Sequence, residues 1–339
     1  MASADIPIFF DTEERTLVDN HGRAITYLRL AITDRCNLRC RYCMPEQGVR
    51  FVPCREILRY EEMLRLIRIF TRLGVTKVRI TGGEPFARRD CLAFLRQVRE
   101  IPGVEHLNVT TNGIATAQYL EALQKLGISG INLSLDTLDR RRFWQLTRYD
   151  FLDMALNTFH GALHRGIPLK INTVVIEDTT DSDILSIAEL ARQYPVTVRY
   201  IEKMPFTGGS GFKKNHAGQL RSRLEALLPE MRIVDYRKPS TALVYEVPGF
   251  VGRIGIIEGH SRKFCATCNK VRITPLGILK TCLYDNGVLD LKALLRSGDS
   301  DAAVCRSVTA CIANRFADGL EAEAQAVHDR EPSMASIGG

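Results

Sequence analysis

The stretch Thr33–Cys43, TDRCNLRCRYC, sets Cys36, Cys40 and Cys43 in the spacing C-x3-C-x2-C. Offsets of four and seven would also line three core residues along one helix face. Here Asp34, Arg35, Asn37, Arg39 and Arg41 crowd the segment and Pro45 follows it, so it reads as a polar loop. Thiolates are soft ligands that select zinc, copper(I) or iron–sulfur clusters. A structural zinc site closes with four protein ligands, and a four-iron cluster ordinarily takes four cysteines. Three thiolates leave one iron open, and an open iron is a place for a small molecule.

A second trio, Cys265, Cys268 and Cys282, reads C-x2-C-x13-C. His260 lies five residues upstream and would complete a Cys3His zinc site, so spacing alone leaves zinc and iron–sulfur equally open. The chain has ten cysteines. The acidic N-terminal stretch is unlike a signal or transit peptide and no apolar run nears the roughly 20 residues of a membrane helix, so we read a cytosolic protein. In that compartment the cysteines point to metal or redox chemistry before disulfides. Cys305 and Cys311 share helical apolar spacing with Val304, Val308, Ile312 and Phe316 and read as core fillers, while Cys54 and Cys91 have no cysteine or histidine near them in sequence.

The elements that must position these thiols recur between Tyr27 and Glu202. Strands are expected at 27–33, 76–82, 106–112, 130–136, 169–175 and 196–202, with amphipathic helices between, such as 61–74 closed by Gly74. Period-two alternation puts Leu28, Leu30, Val78, Ile80, Leu107, Val109, Ile131 and Leu133 on one face. The other face collects Arg29, Lys77, Arg79, Thr110, Ser134, Lys170, Asn172 and Arg199. A parallel sheet covered on both faces would be nearly all aliphatic. Two readings follow: an antiparallel sheet with a solvated polar face, or strands curved into a barrel with helices outside and a basic lumen. The intervening helices favour the second, because antiparallel neighbours need only a hairpin. The expected fold is α/β, a partial (β/α)6 TIM-like barrel whose open side is closed by the C-terminal region. The expected division is an N-terminal segment (1–24), a barrel (25–205) and a C-terminal region (206–339). Barrel chemistry sits at the C-terminal strand ends, which here carry TDRC, TGGEP, TTNG and SLD. A net charge of +7 favours an anionic partner. The basic residues are scattered, so no nucleic-acid arm is indicated.

With Tyr42 before the last cysteine of the first trio and TGGEP (Thr81–Pro85) after the second strand, the chain resembles the radical S-adenosylmethionine superfamily. Within it, LRLAITDRCNLRCRYCMP, VRITGGEPFARRD, TTNG, INLSLD, VRYIE, FCATCNKVRITPLGILKTCL and the closing SMASIGG are similar to the GTP 3',8-cyclase family of molybdenum cofactor biosynthesis. That likeness runs over about residues 20–339.

The resemblance implies two [4Fe-4S] clusters, one on Cys36, Cys40 and Cys43 and one on Cys265, Cys268 and Cys282. S-adenosyl-L-methionine chelates the open iron of the first and, once reduced, releases a 5'-deoxyadenosyl radical. That radical takes hydrogen from C3' of GTP; C3' adds to guanine C8, and reduction and protonation follow. No side-chain nucleophile is implied. Tyr42, Gly83, Ser134 and Met204 match the family's S-adenosylmethionine positions, and Arg29, Arg79, Thr110, Lys170, Lys270, Val271 and Arg272 its GTP positions. Lys77 and Arg199 share the sheet parity of the GTP set, and Gly338 and Gly339 form a tail that enters the site in the family. The second cluster's open iron binds guanine. The implied partners are an electron donor of flavodoxin or ferredoxin type and, downstream, cyclic pyranopterin monophosphate synthase; no nucleic acid and no membrane is implied, and monomer and homodimer stay open. Lys270 stands where the family commonly has Arg, which keeps the charge and loses the bidentate fork. Two rivals predict different chemistry: a radical enzyme with an auxiliary cluster acting on a peptide, and a zinc-stabilised RNA-binding protein.

Overall fold

The computed structural model describes residues 16–204, 219–234, 241–259, 261–326 and 334–338, so His260 and Gly339 lie outside the described residues. All six expected strands form: β1 (Tyr27–Ala31), β2 (Lys77–Thr81), β3 (His106–Thr111), β4 (Gly130–Ser134), β5 (Leu169–Val175) and β6 (Thr197–Glu202). The helices between them are α1 (Tyr60–Arg72), α2 (Cys91–Arg99), α3 (Leu120–Lys125), α4 (Arg140–Thr147), α5 (Leu152–His164) and α6 (Asp181–Gln193). Neighbouring strands pair in chain order, and every pairing from β1 to β6 is parallel. This excludes the antiparallel reading. Strands β1 to β4 stop one or two residues before their expected C-terminal ends, where the backbone turns away to carry the TDRC, TGGEP, TTNG and SLD words.

The rest of the chain supplies α7 (Gln219–Leu227), β7 (Arg232–Ile233), β8 (Leu243–Glu246), β9 (Arg253–Ile257), β10 (Lys270–Ile273), β11 (Ile278–Lys280) and β12 (Leu289–Asp290). It ends in α8 (Leu291–Arg296), α9 (Asp301–Ile312), α10 (Gly319–Ala324) and α11 (Met334–Ile337). Strand β10 pairs parallel beside β1, and β9 parallel beside β6. The outer strands continue antiparallel, giving the order β12-β11-β10-β1-β2-β3-β4-β5-β6-β9-β8-β7 in a sheet that does not close. The architecture is the expected partial TIM-like barrel, extended at both edges by C-terminal strands.

The aliphatic face drives the packing. Leu28, Leu30, Val78, Ile80, Leu107, Val109 and Leu133 are fully buried and share one apolar cluster with Met63, Leu66, Ile67 and Phe70 of α1 and with Ile184 and Ile187 of α6. Each such side chain contributes about 1.5–3 kcal/mol by leaving water. Helix α1 places those four residues at i, i+3, i+4 and i+7, the stripe that faces a sheet. It stops because Gly74 takes φ 90° while its N–H donates to the Thr71 carbonyl and that of Val75 to the Phe70 carbonyl. A smaller cluster joins Tyr284, Ala322 and Ile337, with Met204 and Met334 against it, and so fixes α11 beside the C-terminal cysteines. Among the described residues no helix is long and apolar enough to cross a membrane.

Candidate active site

The polar face of the sheet opens on a cavity of about 440 Å³, within the range of ligand pockets. All six cysteines of the two trios line it, as do Tyr42, Gly83, Ser134, Met204, Arg29, Arg79, Thr110, Lys170, Lys270, Arg272, Lys77 and Arg199. Strands and loops separated by more than two hundred residues are thereby brought to one chamber. Gly338 is not among the lining residues, and neither is Val271. Val271 is fully buried in the apolar cluster on the other face of β10, so its side chain does not reach the cavity. The period of two that turns Lys270 and Arg272 inward turns Val271 away.

The first trio sits on a loop braced from three sides. The N–H groups of Arg39 and Arg41 donate to the carbonyls of Thr147 and Leu146 at the end of α4. The Tyr42 hydroxyl donates to Asp136 Oδ2 at 2.7 Å, and Asp136 Oδ1 accepts from the Val174 N–H at 2.8 Å. The root of the loop lies against the glycine pair: Gly83 N–H donates to the Thr33 carbonyl at 2.7 Å and Glu84 N–H to the Arg35 carbonyl at 2.8 Å. A Cβ on Gly83 would stand 2.2 Å from the Arg35 oxygen, which explains glycine there. Glu84 is fully buried, its carboxylate accepting from the Phe86 N–H, the Thr111 hydroxyl and the Asn112 N–H. Burial raises that carboxyl to about 7. Glu84 thus ties the end of β2 to the end of β3.

The thiols are not alike. Burial pushes the Cys36 and Cys282 thiols each up to about 11 and raises Cys40 and Cys265 as well. Burial would also raise Cys268, but the charges of Lys270 and Arg315 outweigh it and hold this thiol below its ordinary value. Each trio is a set of sulfur donors only, suited to an iron–sulfur cluster. Among the described residues no three His, Cys, Asp or Glu side chains converge as ligands of one ion would. A four-iron cluster gives each thiolate a different iron and does not require that convergence. The close-packed glycine at position 83 leaves the cavity wall beside the first trio free of a side chain.

The opposite wall is cationic. Strand register sets Arg272, Arg29 and Arg79 in one row and Lys270, Tyr27 and Lys77 in the row before it. Burial, then Arg272, lowers the Arg29 guanidinium to about 9; burial, then Arg79, lowers Arg199 to about 10. Burial, then Arg199 and Lys77, lowers Lys170 to about 8, although its exposed surface lets solvent screen part of this effect. Nε and Nη2 of Arg199, Oγ1 of Thr110 and Oδ1 of Asn172 are buried without a hydrogen-bond partner among the described residues. Buried groups of this kind are ordinarily satisfied, so they mark places where a polar ligand belongs. Arg272 Nη1 donates to the Gly338 carbonyl at 2.9 Å, which brings the C-terminal tail to this wall.

Tyr27 was not singled out from the sequence, although its strand parity with Arg29 was available. Its hydroxyl accepts from Arg79 Nε, and the Lys77 and Lys270 ammonium groups lie 4.9 Å and 5.8 Å from its ring centroid. Burial alone would raise the phenol, but Arg79, Arg29 and Lys77 reverse this and bring it to about 7. Glu84 and Asp136 stood inside the words TGGEP and SLD with no role of their own, and Arg315 was missed, because each acts through a partner distant in sequence.

Comparison with known proteins agrees with this geometry. Residues 30–191 match the model of the Radical SAM superfamily, and residues 196–319 that of Molybdenum Cofactor Synthesis C. Molybdenum cofactor biosynthesis protein 1 of Bos taurus is 39% identical over 302 residues, covering 88% of this chain; the chain spans about half of that relative's length, 48%. A GTP 3',8-cyclase of Heliobacterium modesticaldum is 36% identical over 335 residues, covering 95% of this chain and 100% of the relative. Among solved structures, Streptococcus suis SuiB bound to S-adenosylmethionine shares the fold with a TM-score of 0.58 at 16% identity, over 84% of this chain and 69% of that one. On these matches and on its own arrangement of thiols and strand-end motifs, the chain belongs to the GTP 3',8-cyclase family of the radical S-adenosylmethionine superfamily.

Proposed function

We propose that this chain converts GTP to (8S)-3',8-cyclo-7,8-dihydroguanosine 5'-triphosphate, the first step of molybdenum cofactor biosynthesis. The observation that carries the reading is one cavity lined by two thiol trios and a wall of Arg and Lys side chains. Family membership brings S-adenosylmethionine and one [4Fe-4S] cluster, which Cys36, Cys40 and Cys43 would hold. Bound there, the pair supplies one-electron chemistry able to take a hydrogen atom from an unactivated carbon.

The side chains bind and orient. Tyr42, Gly83, Ser134 and Met204 border the S-adenosylmethionine end. Arg29, Arg79, Lys170 and Arg272, with Lys77 and Arg199, would grip the triphosphate through charge-assisted hydrogen bonds. Thr110 would pair its buried Oγ1 with the nucleotide, and Lys270 would contribute charge without the fork of an arginine. Anchoring the remote phosphates fixes the ribose, so that binding energy is spent on orientation at the reacting carbon. Hydrogen leaves C3', a C3'–C8 bond forms, and one electron and one proton restore the count, so the product is an isomer of GTP. No side chain need act as nucleophile. Cys265, Cys268 and Cys282 would hold a second [4Fe-4S] cluster, which would bind guanine and supply one-electron reduction, and Gly338 of the tail would border the nucleotide. The reading extends to the division of the chain near residue 205, a cytoplasmic location, a flavodoxin- or ferredoxin-type donor, and transfer of the product to cyclic pyranopterin monophosphate synthase.

The test is anaerobic reconstitution followed by incubation with GTP, S-adenosylmethionine and a strong reductant. The expected result is a product isomeric with GTP, formed with 5'-deoxyadenosine, from protein containing about eight iron per chain, two four-iron clusters. Cleavage of S-adenosylmethionine that leaves GTP unchanged would overturn the assignment. Iron that never exceeds about four per chain would remove the second cluster.

A further inference from the structure

Behind the C-terminal trio lies a buried ionic network that the proposed chemistry does not use. Asp19, Arg23 and Arg315 are 6%, 8% and 4% exposed. Asp19 sits in a tight loop bridged by Val18 and Ala24, and its Oδ1 accepts from the N–H groups of His21 and Arg23, each at 2.9 Å. Its Oδ2 accepts from Arg23 Nε at 2.6 Å and Arg315 Nη1 at 3.3 Å. Arg23 Nη1 reaches the Cys265 carbonyl at 2.9 Å and the Ala317 carbonyl at 2.6 Å, and its Nη2 the Phe316 carbonyl at 2.7 Å.

Arg315 uses its whole fork. Nε donates to the Thr281 carbonyl at 2.8 Å, next to Cys282 in sequence. Nη1 donates to Asp19 and to the Cys268 carbonyl at 2.8 Å. Nη2 donates to the Lys270 carbonyl at 2.9 Å and to Cys268 Sγ at 3.2 Å. Five donors meet five acceptors, so the guanidinium is held in one place against that sulfur. In the first trio, by contrast, Cys36 Sγ accepts from two neutral donors, the Leu38 N–H at 3.5 Å and Asn112 Nδ2 at 3.6 Å.

We propose that Arg315, locked by Asp19, is a positioning residue that raises the reduction potential of the C-terminal cluster through its hydrogen bond to Cys268. The inference rests on the reading that this trio holds an iron–sulfur cluster. Reduction adds one negative charge to the cluster, and a fixed cation donating to a ligand sulfur stabilises that state more than the oxidised one. Its consequence is an order of filling: the C-terminal cluster accepts an electron more readily than it would without the guanidinium. The same stabilisation makes the reduced cluster a milder donor, able to reduce only an acceptor whose potential lies above its own.

The test uses the full chain with Cys36, Cys40 and Cys43 all changed to Ala, so that only the C-terminal trio can hold iron. Parent, Arg315→Gln and Arg315→Lys are reconstituted anaerobically, and iron content and the midpoint potential are measured by a redox titration followed by electron paramagnetic resonance. Arg315→Gln should shift the reduction equilibrium at least tenfold toward the oxidised cluster, about 59 mV for one electron. Arg315→Lys, which keeps charge without the fork, should fall between that variant and the parent. A parent that holds no iron defeats the second-cluster reading itself. A loaded parent whose potential is matched by the loaded variants overturns the tuning role, and so does loss of iron from both variants, which would make Arg315 a structural clamp. If only Arg315→Lys retains iron, a potential below the parent's supports the proposal and an unchanged one refutes it.

Discussion

Replacing Arg199 by Met should stabilise the protein and impair nucleotide binding. Arg199 lines the cavity from β6, and its Nε and Nη2 are buried without a hydrogen-bond partner among the described residues. Burial, then the charge of Arg79, brings its guanidinium down to about 10. Each tenfold change in proton affinity is about 1.4 kcal/mol, so the chamber disfavours the charged form by roughly 3 kcal/mol relative to water. The folded state lowers the pKa of a base, so this penalty is present in full below pH 10 and fades only above it. Methionine fills a similar volume without charge, and replacing a buried ion by an apolar side chain is worth about 1–4 kcal/mol where no partner is left behind. The nucleotide-free protein should gain roughly 1–3 kcal/mol, a few degrees in Tm. A lost charge-assisted hydrogen bond to phosphate costs about 1.5–3 kcal/mol, so GTP affinity should fall roughly 10- to 100-fold. Scanning calorimetry and isothermal titration of the reconstituted protein read the two effects separately. A fall in Tm with GTP affinity unchanged would show that Arg199 supports the sheet and not a polyanion.

Three further outcomes follow from the same wall and from the glycine pair. GTP affinity at constant ionic strength should decline as pH rises through about 8, because Lys170 loses its proton and its attraction for phosphate there; Lys170→Met should flatten that part of the profile, measured by equilibrium dialysis. Tyr27→Phe keeps the ring beneath Lys77 and Lys270 but removes the oxygen that accepts from Arg79 Nε. Binding of GTP should weaken about tenfold, the loss of one hydrogen bond to a charged group, and binding of guanosine should not change. Gly83→Ala would set a Cβ 2.2 Å from the Arg35 carbonyl oxygen at the root of the cysteine loop. Overpacking of about 1–3 kcal/mol should appear as a comparable loss of S-adenosylmethionine affinity by titration calorimetry, with GTP affinity little altered.

Strand parity made much of this site legible. Once 27–33, 76–82 and 169–175 are read as strands, period two sends Arg29, Arg79 and Lys170 to one face whatever the sheet's curvature. The end words were legible because a glycine pair or a run of thiols does not suit a ladder. Pairing partners were not. RIGII in β9 and KVRI in β10 are short apolar-rich runs with no helix signal tying them to β6 or β1, yet they extend the parallel sheet at both edges. Local pattern fixes the face a residue takes, not which distant strand will lie beside it. Val271 shows the limit from the other side: a motif matched as the three letters KVR includes a residue whose parity turns it into the core.

The register also says why this wall exists. In adjacent strands the side chains directly across from one another lie about 4.8 Å apart, and like charges in that position destabilise a sheet. The first row, Lys270–Tyr27–Lys77, answers this internally, since a phenol with an acidified hydroxyl separates the two ammonium groups. The second row, Arg272–Arg29–Arg79, lies nearer the C-terminal ends of the strands and sets a third cation at its centre. Its Arg272 is met by the Gly338 carbonyl, a neutral acceptor delivered by the tail. Gly338 comes this close because position 31 carries only alanine: a Cβ added to the glycine would stand 2.6 Å from the Ala31 Cβ. A small residue on the strand and a glycine in the tail thus admit backbone where a larger pair would clash. Three aligned guanidinium groups are a poor choice for holding strands together and a good one for meeting a chain of phosphates. The row would lose its repulsion when the anion arrives, so nucleotide binding should tighten the sheet itself, and hydrogen exchange of β1, β2 and β10 should slow together when GTP is added.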